Sequence, residues 1–136
     1  MRLLVTGGAG FIGSAVVRLA IAQGHTVINV DALTYAGSLE NVSSVSGHSE
    51  YYFENADIRN RNVLDQVFQK YKPDVVMHLA AESHVDRSID GPLEFIKTNI
   101  NGSFNMLEAA RTYWKACGRP DTFRFQHIST DEVFGT

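Results

Sequence analysis

An α/β fold built on a doubly wound parallel sheet, in three α/β/α layers, follows from three features of the sequence. Short apolar runs alternate with amphipathic segments along the whole chain. Each connection between runs is long enough to bring the chain back for parallel pairing. The first run ends in a glycine cluster that opens into helical spacing, the punctuation of a strand-to-helix turn.

The elements follow in order. Leu3-Leu4-Val5 is a short buried strand. Ile12, Val16, Val17, Leu19 and Ala20 recur at helical spacing, and Gly24 marks a stop after Gln23. Val27 to Val30 is a second strand. From Asp31 to Glu50, glycines and many Ser and Asn residues predict mostly loop. Tyr51-Tyr52-Phe53 is a third strand, and Val63, Leu64, Val67, Phe68 and Tyr71 form an amphipathic helix closed by Pro73. Asp74 to Leu79 is nearly continuous in apolar character, as a strand buried on both faces requires. Pro92 opens a long helix to about Ala116, interrupted only by Gly102, and Phe123, Phe125 and Ile128 belong to a fifth strand.

Composition bounds the function. A length of 136 residues suits one domain, 1–136, and 44% hydrophobic with 20% charged residues is ordinary for a globular protein. A net charge of -3 argues against nucleic acid or anionic membrane as partner. Cys117 is the single cysteine, so no internal disulfide forms and a reducing, cytoplasmic setting is expected. Arg2 and Ala20-Ile21-Ala22 imitate a signal peptide, but the intervening glycines weaken any helical core for one. No apolar run is long enough to span a bilayer. The histidines at 25, 48, 78, 84 and 127 lack metal-ligand spacing, so no metal is expected.

The glycine cluster reads as Gly7-x-x-Gly10-x-x-Gly13 or Gly8-x-Gly10-x-x-Gly13. Such a loop needs glycine for a tight turn, for backbone approach to a pyrophosphate, and for close packing of helix on strand. The helix N-terminus adds free N–H groups and partial positive charge. Asp31 ends the second strand, about 20 residues on, where a carboxylate accepts the hydroxyls of an adenosine ribose. Ala32 offers no cation for a 2′-phosphate, so NAD is favoured over NADP. A mere turn would not need this combination. A triphosphate-binding loop would need lysine where Ser14 stands. This is a Rossmann-type pattern.

Two polar clusters fall at strand ends, where ligands gather in doubly wound sheets. One is Ala80-Ala81-Glu82-Ser83-His84-Val85-Asp86-Arg87-Ser88, whose small alanines let backbone lie against a flat cofactor. His84, Asp86 and Arg87 fit a surface ion-pair network equally well. The other is Ser129-Thr130-Asp131-Glu132. Two neighbouring carboxylates in different surroundings can divide acid and base work.

The stretches TGGAGFIGS, DALTYAGSLENV, HLAAESHVDRSI, TNINGSFNMLEAAR and HISTDEVFGT together resemble the extended short-chain dehydrogenases/reductases. Within that family they resemble the dTDP-glucose 4,6-dehydratases. The resemblance runs from Met1 to Thr136. It implies NAD as cofactor and a nucleotide sugar as substrate: hydride leaves sugar C4, water is eliminated across C5–C6, and hydride returns at C6. By resemblance Asp131 protonates the departing hydroxyl, Glu132 takes the C5 proton, and Thr130 bonds the substrate near C4. Phe11, Ile12, Asp31, Ala32, Leu33, Thr34, Asp57, Ile58, Leu79, Ala80, Ala81, Glu82, Ser83 and Thr98 match cofactor-contacting positions, beside Gly7, Gly10 and Gly13. Ser83 matches a substrate contact as well.

The Tyr-x-x-x-Lys pair that starts C4 oxidation in that family is not among the 136 residues. The chain therefore resembles the amino-terminal portion of such an enzyme, with the sheet incomplete on its C-terminal side and no substrate domain, and is expected to be inactive alone. The long helix resembles half of a homodimer interface. A UDP-sugar epimerase or dehydratase relative, or a non-catalytic NAD-binding module, are the alternatives.

Overall fold

The computed structural model describes residues 1–34, 37–81, 91–130 and 134. The elements are β1 (Arg2–Thr6), α1 (Phe11–Ala22), β2 (Thr26–Asp31), a 3-10 turn (Leu39–Val42), β3 (Tyr51–Asn55), α2 (Arg61–Tyr71) and β4 (Val75–His78). After them come α3 (Pro92–Phe95), a π-helical segment (Ile96–Gly102), α4 (Ser103–Ala116) and β5 (Arg124–His127). All strand pairs are parallel, in the order β3-β2-β1-β4-β5. The chain starts at the centre, winds out to β3, then returns past β1 to β4 and β5. That reversal places a switch point at the carboxyl ends of β1 and β4.

Two cores flank the sheet. Leu4, Ile28 and Val76 face α2 and α4, packing with Leu64, Val67, Phe68, Met106, Ala109 and Ala110. Leu3, Val5 and Val27 face the other way onto Val17, Ala20 and Ile21 of α1, with Val42 of the 3-10 turn. The three layers follow from this alternation along each strand. Fully buried Phe68, Leu4 and Leu64 each contribute roughly 1.5–3 kcal/mol by leaving water.

Helix ends are set locally. Gly24 adopts φ 86 and donates to the Ile21 carbonyl, while His25 N–H reaches Ala20, a left-handed closure of α1. The Asn60 side chain accepts the Val63 N–H and caps α2. At the other end Lys72 turns left-handed just before Pro73.

The structure departs from the sequence expectations at several points. The buried face of α1 is Gly13, Ser14, Val17, Ala20 and Ile21, whereas Ile12 and Leu19 point to solvent. The long helix changes to π-helical geometry between Ile96 and Gly102. Phe123 and Ile128 flank β5 instead of belonging to it, and a 3-10 turn interrupts the expected loop. No helix among the described residues is long and apolar enough to cross a membrane.

Candidate functional site

The site lies beyond the carboxyl ends of β1, β2 and β4. β1 ends at Thr6, and Gly7 at φ 71 reverses the chain. Its N–H bonds to the Val30 carbonyl and its own carbonyl receives the Gly10 N–H. A Cβ on Gly7 would stand 2.9 Å from the Ala80 nitrogen, and one on Gly13 would stand 2.0 Å from the Gly7 carbonyl oxygen. Glycine is thus required twice over, for the turn and for seating α1 on it. No side chain caps the N-terminus of α1, and no acid occupies its first turn. That end keeps its positive character for an anion. Phe11 and Ile12 beside it are 90% and 62% exposed.

Asp31 is nearly buried. Its Oδ2 accepts the Ala9 N–H at 2.9 Å and its Oδ1 the Leu33 N–H at 2.7 Å. The carboxylate therefore clasps the glycine loop to the end of β2, a role the sequence did not disclose. Each oxygen retains a further lone pair for a ligand hydroxyl. Ala32 and Leu33 are half-buried and Thr34 exposed. Leu33 holds φ 56, a strained value for a side chain with a Cβ.

On the far side of β2, Ile58 is buried against Gly102, where a Cβ would come within 2.6 Å of its Cδ1. The Asn105 side chain donates to the Ile58 carbonyl. Burial pushes the neighbouring Asp57 carboxyl up, but hydrogen bonds from the Arg59 guanidinium and backbone outweigh it and hold it below its ordinary value. Arg59 also reaches Glu94 at 2.7 Å, tying this loop to α3. Thr98 is half-buried in the π segment.

Leu79 and Ala80 are half-buried and Ala81 exposed at the end of β4. Beneath them is a buried polar chain that sequence reasoning missed. The Thr6 hydroxyl contacts His78 Nδ1 at 2.7 Å, and His78 Nε2 contacts Ser103 Oγ at 2.9 Å. Burial, with help from His127 alongside, pushes the His78 ring down to about 4. A histidine inside an otherwise apolar strand was the available signal.

Thr130 is exposed beyond β5. Glu82, Ser83, Asp131 and Glu132, together with His84, Asp86 and Arg87, lie outside the described residues. Among the described residues no cluster of His, Cys, Asp or Glu could hold a metal.

Comparison with known proteins adds the following. The family model described as GDP-mannose 4,6 dehydratase matches residues 4–136. A dTDP-glucose 4,6-dehydratase of Salmonella typhimurium is 58% identical over 138 residues, covering 99% of this chain and 38% of that protein. The chain thus spans about two fifths of the relative's length. A dTDP-glucose 4,6-dehydratase of Streptomyces venezuelae, crystallised with NAD, superposes with TM-score 0.88 and 42% identity, covering 100% of this chain and 41% of its own. A UDP-glucose 4-epimerase of Thermotoga maritima superposes with TM-score 0.82 and 37% identity, covering 96% of this chain and 38% of its own.

Proposed function

The chain belongs to the GDP-mannose 4,6-dehydratase family, and from that membership we propose that residues 1–136 are the NAD-binding domain of a dTDP-glucose 4,6-dehydratase. The observation that carries this reading is the clasp between Asp31 and the Ala9 N–H, which sets a carboxylate beside a glycine turn and an uncapped helix N-terminus. The residues fit a dinucleotide. A Cβ at Gly7 or Gly13 would collide with backbone, so the loop is bare of side chains where a pyrophosphate must approach.

In this reading the loop and the start of α1, including Gly7, Gly10, Phe11, Ile12 and Gly13, hold the pyrophosphate. Asp31 takes the adenosine ribose hydroxyls. Ala32, Leu33, Thr34, Asp57, Ile58, Leu79, Ala80, Ala81, Glu82, Ser83 and Thr98 complete the contacts. NAD, when bound, supplies the acceptor for the C4 hydride and later its source. Asp131 gives its proton to the departing C6 hydroxyl and Glu132 removes the C5 proton, so acid and base act on neighbouring carbons. Ser83 and Thr130 bind the sugar. The enzyme works in the cytoplasm as a homodimer.

Structural likeness to an epimerase supports a second reading, in which the acid pair is incidental. Titration of the chain with NAD and NADP tests the cofactor half: NAD should bind more tightly, and equal or stronger NADP binding overturns it. Incubating the complete enzyme with dTDP-glucose tests the rest. A 4-keto-6-deoxy product is expected, and a C4 epimer with intact C6 hydroxyl would establish the alternative.

A further inference from the structure

The Thr6 hydroxyl oxygen has both lone pairs engaged. It accepts the backbone N–H of Ala80 at 3.1 Å and that of Leu79, also at 3.1 Å, which it shares with the Thr6 carbonyl at 3.2 Å. What remains is its hydrogen, and the partner in reach is His78 Nδ1 at 2.7 Å. The hydroxyl therefore donates and Nδ1 accepts. A neutral ring accepting on Nδ1 carries its proton on Nε2, which donates to Ser103 Oγ. The tautomer follows from the neighbours.

Register explains why these groups meet. Thr6 pairs with His78 across β1 and β4, and His78 with His127 across β4 and β5. Parallel partners share a face, here the one covered by α4, whose first residue is Ser103. The Ala80 nitrogen that Thr6 holds is also the atom a Cβ on Gly7 would strike. One hydroxyl thus sets the spacing between the glycine turn and the end of β4.

Resting on the dinucleotide reading of this end of the sheet, we propose that His78 is a positioning residue. By accepting the Thr6 hydroxyl through Nδ1, it directs both Thr6 lone pairs onto the Leu79 and Ala80 N–H groups and fixes the backbone that faces the cofactor. Without that acceptor the buried hydroxyl hydrogen has no partner to fix its direction, and the hold of the oxygen on the Ala80 N–H, the tether that the Thr6 carbonyl does not duplicate, loosens. Protonation of the ring would do the same, because Nδ1–H would meet an oxygen with no lone pair to offer. The groups packed around the ring among the described residues are Thr6, Ser103, Phe125 and His127, and only His127 titrates.

Two substitutions separate positioning from packing. In His78→Asn an amide oxygen can take the place of Nδ1, whereas in His78→Gln the amide reaches the place of Nε2. NAD affinity should stay within about 2-fold for Asn and fall about 3- to 10-fold for Gln, the worth of one buried hydrogen bond. Thermal stability should rank the other way, because Gln fills more of the buried volume. Affinity losses that track the melting temperatures would reduce His78 to a packing residue and overturn the proposal. Should a variant not fold, long-range ¹⁵N–¹H correlation of the wild-type ring decides: Nε2 protonated and Nδ1 bare is expected, and the reverse overturns it. The wrong tautomer with normal NAD binding sinks this proposal alone. The expected tautomer with no NAD binding sinks the cofactor reading, and with it the ligand-facing role.

Discussion

His78 and Asp31 are both buried polar residues at strand ends, and they differ in what they bond. His78 has its ring pushed from 6.5 down to about 4 by burial first and by His127 second. The folded chain therefore keeps the ring neutral where the unfolded chain protonates it. Stability is complete above pH 6.5 and falls as pH drops from 6.5 toward 4, by roughly 3 kcal/mol in all. Glu54, held below 4.5 by the Tyr71 hydroxyl, loses its contribution only at lower pH. Urea titrations between pH 6.5 and 4.5 should thus show a slope that His78→Asn abolishes. Asp31 instead stays engaged as an acceptor for two backbone N–H groups. Asp31→Ala should lower the melting temperature and weaken NAD roughly 10-fold or more, the scale of hydrogen bonds to a charged group. NADP should weaken less, since the carboxylate repels its 2′-phosphate. Calorimetric titration with both cofactors checks this.

At the scale of elements, glycines rank by what surrounds them. A methyl on Gly13 meets the Gly7 backbone, which cannot yield without breaking the turn. A methyl on Gly102 meets Cδ1 and Cγ1 of the buried Ile58 side chain, both at 2.6 Å, and no backbone atom that close. At Gly24 nothing lies near, and only φ 86 opposes a side chain. Gly24→Ala should therefore cost about 1–2 kcal/mol. Gly102→Ala should cost about 1–3 kcal/mol as ordinary overpacking, and Gly13→Ala should cost the most and abolish NAD binding. Chemical denaturation of the three variants gives the order. The sequence showed glycines at these positions but not their ranking, because that depends on the strand or helix brought against each one.

For the whole molecule, the helical stretch after Gly91 divides its apolar residues between two fates. Met106 is buried in the core, while Leu93, Ile96, Ile100, Phe104 and Leu107 stay 48–62% exposed. Their spacing of three and four residues lines them along one side. Exposed apolar stripes of this kind mark sites of association in other proteins. We expect self-association at high concentration, with Phe104→Glu shifting the chain toward monomer without loss of helical signal. Light scattering checks it, and a strictly monomeric wild type would count against it. If the complete enzyme uses the roles proposed above, Asp131→Asn and Glu132→Gln should slow elimination far more than the initial reduction of NAD, because in that proposal both acids act after hydride transfer. Stopped-flow absorbance separates the two steps.

The sequence by itself determined the layered parallel architecture, the glycine loop and the position of Asp31 at the end of the second strand. Periodicity, turn chemistry and an acid at a strand end are local facts that no tertiary contact has to supply. It could also show that an acid pair follows β5, through Asp131 and Glu132. Only the tertiary structure decided that Asp31 clasps the loop at Ala9, that α1 hides Ser14 and exposes Ile12, and that the long helix becomes π-helical before Ser103. The chain Thr6–His78–Ser103 belongs with these, since its members lie 72 and 25 residues apart and meet through strand register and helix docking. Side-chain partnership across a sheet is set by which strands become neighbours, and no single segment carries that information.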